Sequence, residues 1–159
     1  MNLVSNFYLQ DLLLYISFIP LIGIVLILMI ESEKQNLMKI VSLNFAFLPF
    51  LVFLFVWGSF KKSIGTFQFV TKLLWMPILN LNITLGIDGI SLFFLLLTTL
   101  LIPLCILISW NSVVNNLKGY LISFLLIEFL LIGVFSVLDL LLFYIFLILT
   151  PILIIIYMD

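Results

Sequence analysis

Of 159 residues, 66% are hydrophobic and only 8% charged, and the mean hydropathy is +1.49, whereas a soluble globular domain runs about half apolar and a quarter charged. Six lysines, no arginine, no histidine and seven carboxylates leave a net charge of -1, so no basic face exists to hold nucleic acid and that class of partner is excluded. The single cysteine, Cys105, lies in an apolar run and supplies neither a disulfide framework nor a zinc or iron–sulfur ligand set.

A bilayer core about 30 Å thick takes roughly 20 apolar residues of helix. Stretches 12–30, 37–57, 91–110, 120–138 and 140–158 reach that length and predict an all-α membrane protein with about five transmembrane helices. On this reading residues 1–57 hold the first two helices and their short loop, 58–90 form an extramembrane loop, and 91–159 hold helices three to five. The first stretch is expected to persist as a membrane helix, because residues 1–10 carry no Lys or Arg and no small-residue cleavage site follows.

Pro20, Pro49, Pro103 and Pro151 fall inside the spans. Each deletes one helical hydrogen bond, which membranes tolerate when hydroxyls or neighbouring helices satisfy the freed carbonyl. Pro103 frees the carbonyl of Thr99, and Thr98 lies beside it. Within 58–90, Leu79, Leu81, Ile83 and Leu85 alternate with Asn80, Asn82 and Thr84, the period of a half-buried strand, and residues 66–72 are the expected partner in a surface β-hairpin. The lysines do not choose an orientation: Lys34, Lys39 and Lys118 fall on one side and Lys61, Lys62 and Lys72 on the other.

Glu128, in the middle of the fourth span, is the most informative polar residue, since a carboxylate near the bilayer centre costs several kcal/mol unless partnered or protonated. At about 100° per residue Ser136 lies about 80° around the helix from it, and Asp139 would fall within about 20° were the helix continued. Glu128 is thus the candidate for proton relay, against a plain structural role in joining two helices. Asp139, between the fourth and fifth spans, and Asp88, in Gly86-Ile87-Asp88-Gly89-Ile90-Ser91 ahead of the third, are placed to cap helix starts. With no histidine, no activated cysteine and no glycine-rich phosphate loop, catalytic, cofactor-binding and metal residues are all expected to be absent from this chain.

The run Leu85-Gly86-Ile87-Asp88-Gly89-Ile90-Ser91-Leu92-Phe93-Phe94, then Leu97-Thr98-Thr99, Pro103, Ser109-Trp110, Glu128-Phe129-Leu130 and Asp139-Leu140-Leu141-Leu142-Phe143-Tyr144, closely resembles the N-terminal third of subunit 4 of respiratory NADH:ubiquinone oxidoreductase, complex I. Trp75-Met76-Pro77 resembles the same family's loop, while residues 1–60 match mainly in hydropathy. The wording is nearest the mitochondrially encoded subunit, in keeping with a Phe-rich, Arg-free composition typical of AT-rich genomes. The resemblance implies an antiporter-like, proton-pumping subunit with about fourteen helices and inverted repeats, of which this chain holds the opening helices and the start of the first repeat. It implies the mitochondrial inner membrane, with a bacterial plasma membrane as the alternative, and other membrane-arm subunits as partners. NADH, ubiquinone, FMN and iron–sulfur clusters would belong elsewhere in the complex.

One departure stands out. The family follows Phe-Tyr-x-Phe with a glutamate in a Phe-Glu-x-x-x-x-Pro pattern, but here Phe143-Tyr144-Ile145-Phe146 runs into Leu147-Ile148-Leu149-Thr150-Pro151. Without gaps the glutamate position falls on Ile148. Three origins accommodate this: a partial gene product, a split subunit whose second half is separately encoded, and a diverged remnant. The rival functions are a stand-alone cation/proton antiporter and a purely structural assembly subunit.

Overall fold

Lipid offers backbone N–H and C=O groups no partner, so apolar stretches of this length close their hydrogen bonds within themselves as helices. The computed structural model describes residues 12–60, 66–76, 81–112 and 116–158. Its elements in chain order are α1 (Leu12–Met29), α2 (Gln35–Ser59), β1 (Gln68–Met76), β2 (Leu81–Ile87), α3 (Gly89–Ile108), α4 (Leu117–Ser136) and α5 (Leu140–Met158). The first four helices have the length and composition to cross a membrane, and α5 is apolar throughout its Leu140–Ile156 stretch. The described residues form an all-α membrane protein of five helices with a small two-stranded sheet.

Helix α4 occupies the centre of the bundle and packs on all four other helices, whereas α5 packs mainly on α4. Close approach is set by glycine. A Cβ on Gly23 of α1 would lie 2.7 Å from Phe45 Cβ of α2 and 3.2 Å from Leu125 Cδ1 of α4. A Cβ on Gly133 of α4 would meet the Phe146 ring of α5 at 3.1 Å. Small residues at such crossings let membrane helices gain the dispersion contacts that hold them together where no hydrophobic force between helices exists.

The strands pair antiparallel, with Thr71 opposite Leu85 and Lys72 opposite Thr84. Alternation turns Ile83, Leu85 and Ile87 onto the helix ends, where Leu85 and Ile87 join Leu13, Ile16, Phe53 and Leu92 in one apolar cluster. Register shifts occur between Gln68 and Thr71 and between Leu74 and Met76, and Phe69 adopts φ 55° in the first of them. Such bulges bend and twist a strand, which curves the hairpin over the bundle. Leu79 and Asn80, part of the expected strand pattern, lie outside the described residues, as do Lys61 and Lys62.

One expectation is corrected. The fourth helix ends at Ser136 rather than running to Leu138, because Val137 turns extended and bridges Leu85 while the Leu138 N–H donates to the Thr84 carbonyl at 2.9 Å. The helix is therefore not continued to Asp139, and Asp139 does not extend the polar face of Glu128. Nor do the hydroxyls of α3 serve the carbonyl that Pro103 frees: Thr98 and Thr99 donate to Phe94 and Leu95 carbonyls one turn back, each at 2.8 Å.

Candidate functional site

The buried face of α4 reads Leu121, Leu125, Glu128, Ile132 and Ser136, a spacing of three and four that keeps one stripe of a helix facing inward. Glu128 is 0% exposed. Leu121 and Leu125 belong to an apolar cluster with Ile24, Ile27, Met38 and Ile106, while Ile132 belongs to the other cluster, at the hairpin end. The carboxyl thus originates at the seam between the two halves of the core.

Along the neighbouring helices the same seam holds polar and helix-interrupting residues. On α1, buried Ser17 and Pro20 stand between Ile16 of one cluster and Ile24 of the other. On α3, buried Thr98 and Thr99 stand between Leu95 and Ile102, and on α2 Pro49 stands between Ala46 and Phe53. The hydroxyls of Ser17, Thr98 and Thr99 bond back into their own helices. Pro20 and Pro103 meanwhile withhold the N–H groups that Ile16 and Thr99 carbonyls would otherwise receive. Neither carboxyl oxygen of Glu128 nor the Ser136 hydroxyl has a hydrogen-bond partner among the described residues. An ionised carboxylate only accepts, whereas its protonated form also donates, so the protonation state decides which neighbours Glu128 can use. A group held this way is chemically suited to taking up and giving back a proton.

Beside this stripe, beneath β2, a pocket of about 190 Å³ lies between α1, α4 and α5, lined by Ser17, Leu85, Phe129, Gly133, Leu142 and Phe146 among others. Placing the family's Phe-Glu-x-x-x-x-Pro proline on Pro151 would set its glutamate at Phe146, which lines this pocket. The ungapped position, Ile148, is 54% exposed and faces away from the bundle. Neither position offers a carboxyl to the core.

The two remaining acids named from the sequence lie at helix starts. Asp88 Oδ1 accepts the Ser91 N–H at 2.7 Å as the N-cap of α3, and hydrogen bonds from the Ser91 side chain and N–H hold its carboxyl below the usual aspartate range. Asp139 Oδ1 accepts the Leu141 N–H at 3.3 Å and its carbonyl accepts Phe143 N–H at 3.0 Å, at the start of α5. Glu128, Asp88 and Asp139 are not brought together into one site.

Two lysines missed as partners at the sequence level close the opposite end of the bundle. Lys118 Nζ donates to the Leu28 and Ile30 carbonyls at the end of α1, each at 2.9 Å, and buried Lys39 donates to the Trp110 carbonyl with its ammonium 5.6 Å from the Trp110 ring centre. Each ammonium supplies donors to carbonyls at or just past a helix C-terminus, where the helical ladder no longer provides them. Their position within two residues of a span end was the available signal. Among the described residues no group of three or more His, Cys, Asp or Glu side chains could hold a metal ion.

No protein-family model matches the chain. Among curated proteins, NADH-ubiquinone oxidoreductase chain 4 of Chondrus crispus is 55% identical over 141 residues, 89% of this chain and 29% of that protein. The chain 4 proteins of Arabidopsis thaliana, 47% identical over 80% of this chain and 26% of theirs, and of Prototheca wickerhamii, 40% identical over 91% and 30%, are similar in the same way. This chain spans about three-tenths of the length of these relatives. Identity of that degree, maintained across the hairpin and the helix bundle together, places the chain in the NADH-ubiquinone oxidoreductase chain 4 family.

Proposed function

We propose that this chain works in the membrane arm of the respiratory NADH:ubiquinone oxidoreductase of the mitochondrial inner membrane and contributes to proton translocation coupled to electron transfer from NADH to ubiquinone. The observation that carries this reading is the identity of up to 55% with chain 4 proteins across nine-tenths of a five-helix membrane bundle. The chain itself binds no NADH, FMN, ubiquinone or iron–sulfur cluster in this reading; other subunits supply them. Its partners are neighbouring membrane-arm subunits and the lipid bilayer.

Within this function Glu128 handles protons. Its support is a carboxyl with no exposure and no partner among the described residues, at the level where both halves of the core meet. Buried acids inside membrane bundles persist at a free-energy cost, which function offsets. Asp88 and Asp139 act as framework, holding the starts of α3 and α5. Glu128→Gln keeps shape and hydrogen-bonding capacity but cannot exchange a proton. In inner-membrane vesicles with the complex fully assembled, protons moved per NADH oxidised should fall to about half or less. An unchanged ratio with normal NADH oxidation would remove Glu128 from the pathway.

The absence of a carboxyl at Phe146 and Ile148 favours a second reading, in which the chain fills a groove of the complex and moves no protons. Under that reading Glu128→Gln alters neither pumping nor assembly.

A further inference from the structure

Three buried side-chain oxygens lack a hydrogen-bond partner among the described residues: both carboxyl oxygens of Glu128 and the hydroxyl of Ser136. All three belong to the inward stripe of α4, and Ser136 is 1% exposed. The other buried hydroxyls of the helices behave differently. Ser17, Ser42, Thr98, Thr99 and Ser123 each donate to a carbonyl of their own helix at 2.7–2.9 Å, the usual recourse of a hydroxyl inside a helix. Enclosing the Ser136 hydroxyl without such a bond costs the fold its desolvation and returns nothing to it.

Ser136 follows Glu128 by eight residues of helix, a rise of about 12 Å, which about three or four hydrogen-bonded waters would bridge. Buried polar atoms without a protein partner are the groups that ordered water serves. Ile132 stands between the two on the stripe, so a connection passes its flank, where Gly133 has no side chain and the pocket of about 190 Å³ opens with Ser17 in its wall. The Ser17 hydroxyl gives its proton to the Leu13 carbonyl and keeps its lone pairs for a water there. Toward the lysine end the stripe continues as Leu125 and Leu121, and the nearest buried hydroxyl of α4, Ser123, is bonded to the Tyr120 carbonyl. We propose, resting on the role of Glu128 given above, that Ser136 relays the Glu128 proton to and from the hairpin side of the membrane. In the outward step the carboxyl gives its proton to a neighbouring water and the excess proton passes along the waters to Ser136 Oγ. Ser136 releases its original hydroxyl proton on the hairpin side, which leaves a carboxylate and an intact hydroxyl. A hydroxyl both accepts and donates, as this step requires, and the reverse sequence recharges the carboxyl.

Ser136→Ala removes only the hydroxyl, and since no described residue bonds to it, the complex should assemble normally. In inner-membrane vesicles with the complex assembled, protons moved per NADH oxidised should fall to about half or less in Ser136→Ala, as in Glu128→Gln. Ser136→Thr, which keeps the hydroxyl, should restore the ratio. Combining Glu128→Gln with Ser136→Ala should cost no more than Glu128→Gln alone, because both act on one route. Ser123→Ala, on the lysine side of Glu128, should leave the ratio unchanged. A ratio that falls with Glu128→Gln but not with Ser136→Ala overturns the relay and leaves the role of Glu128 standing, whereas an unchanged ratio in Glu128→Gln overturns both. The relay is also overturned if Ser136→Thr pumps as poorly as Ser136→Ala, if the double variant loses more than Glu128→Gln, or if Ser123→Ala lowers the ratio as far. Failure of the Ser136→Ala complex to assemble would make the hydroxyl part of the framework and overturn the relay as well.

Discussion

Single side chains contribute to this protein in proportion to how completely their polar atoms are partnered. Asp88 is the well-served case. Its carboxylate accepts the Ser91 N–H at 2.7 Å and its own carbonyl accepts the Leu92 N–H at 3.0 Å, so the first turn of α3 starts with its donors engaged. Replacing a cap of this kind costs about 1 kcal/mol. The direction of its pH dependence follows from the cause of its lowered pKa. Because hydrogen bonds from the Ser91 side chain and the Ser91 N–H to the carboxyl favour its ionised form in the folded state, the stabilisation is complete above the unfolded-state pKa of an aspartate and is lost as pH falls through the lower folded value. Thermal unfolding in detergent should show a loss of stability below about pH 4 that Asp88→Asn lacks. An identical acid limb in Asp88→Asn would show that the cap does not titrate with folding.

Glu128 is the opposite case at the same scale: fully enclosed and with both oxygens free of partners among the described residues. Its place in the middle of a span was legible because a carboxyl stands out against an apolar run. Asn44 and Ser136 were harder to weigh. A polar residue in a span points inward or outward depending on packing, and the linear pattern holds no record of which.

At the scale of elements, the helices are apolar on every side, so hydropathy specifies their existence but not their facing surfaces. Glycine decides some of these contacts. At Gly23 the obstructing atom is the Cβ of Phe45, which is fixed to the backbone of α2 and cannot rotate away. Gly23→Ala should therefore destabilise the bundle by about 1–3 kcal/mol through overpacking, even though alanine favours a helix by up to about 1 kcal/mol over glycine. Thermal unfolding of the variant in micelles tests this, and a stabilised Gly23→Ala would mean that α1 and α2 separate easily. The hairpin shows a comparable division. Alternation through Asn82, Ile83, Thr84 and Leu85 marked a strand, but the pairing of Val137 with Leu85 joins residues more than fifty positions apart and shortened α4 relative to its apolar run. Hydrophobicity continued past Ser136, and only a sheet edge with open hydrogen-bonding groups could draw Val137 and Leu138 out of the helix.

For the whole molecule, the hairpin covers one end of the bundle and the lysine clamps of Lys39 and Lys118 close the other. Trp57, near the hairpin end of α2, and Trp110, just past α3 at the opposite end, stand where aromatic side chains bridge hydrocarbon and headgroups on both faces of a bilayer. Single-tryptophan variants in vesicles should show both residues quenched more strongly by bromines near the headgroups than by bromines at the acyl-chain ends. Stronger quenching of either one at the bilayer centre would refute this vertical placement. The exposed apolar side of α5, with Ile148 and Ile155 outward, suits lipid or further helices equally, and a chain spanning three-tenths of its relatives leaves room for both.

Length and polarity along the chain marked by themselves five apolar segments, a strand pair between the second and third, and Glu128 as the one acid in the middle of a span. Insertion into lipid is a one-dimensional matter of apolar residues added up along a segment. The place of Glu128 at the seam between the two halves of the core, the carbonyl partners of the two lysines and the outward aim of Asn44 were decided only by tertiary structure. Those depend on rotation and depth of one helix against another, which in a uniformly apolar setting follow from steric fit and hydrogen bonds between distant residues rather than from any local pattern.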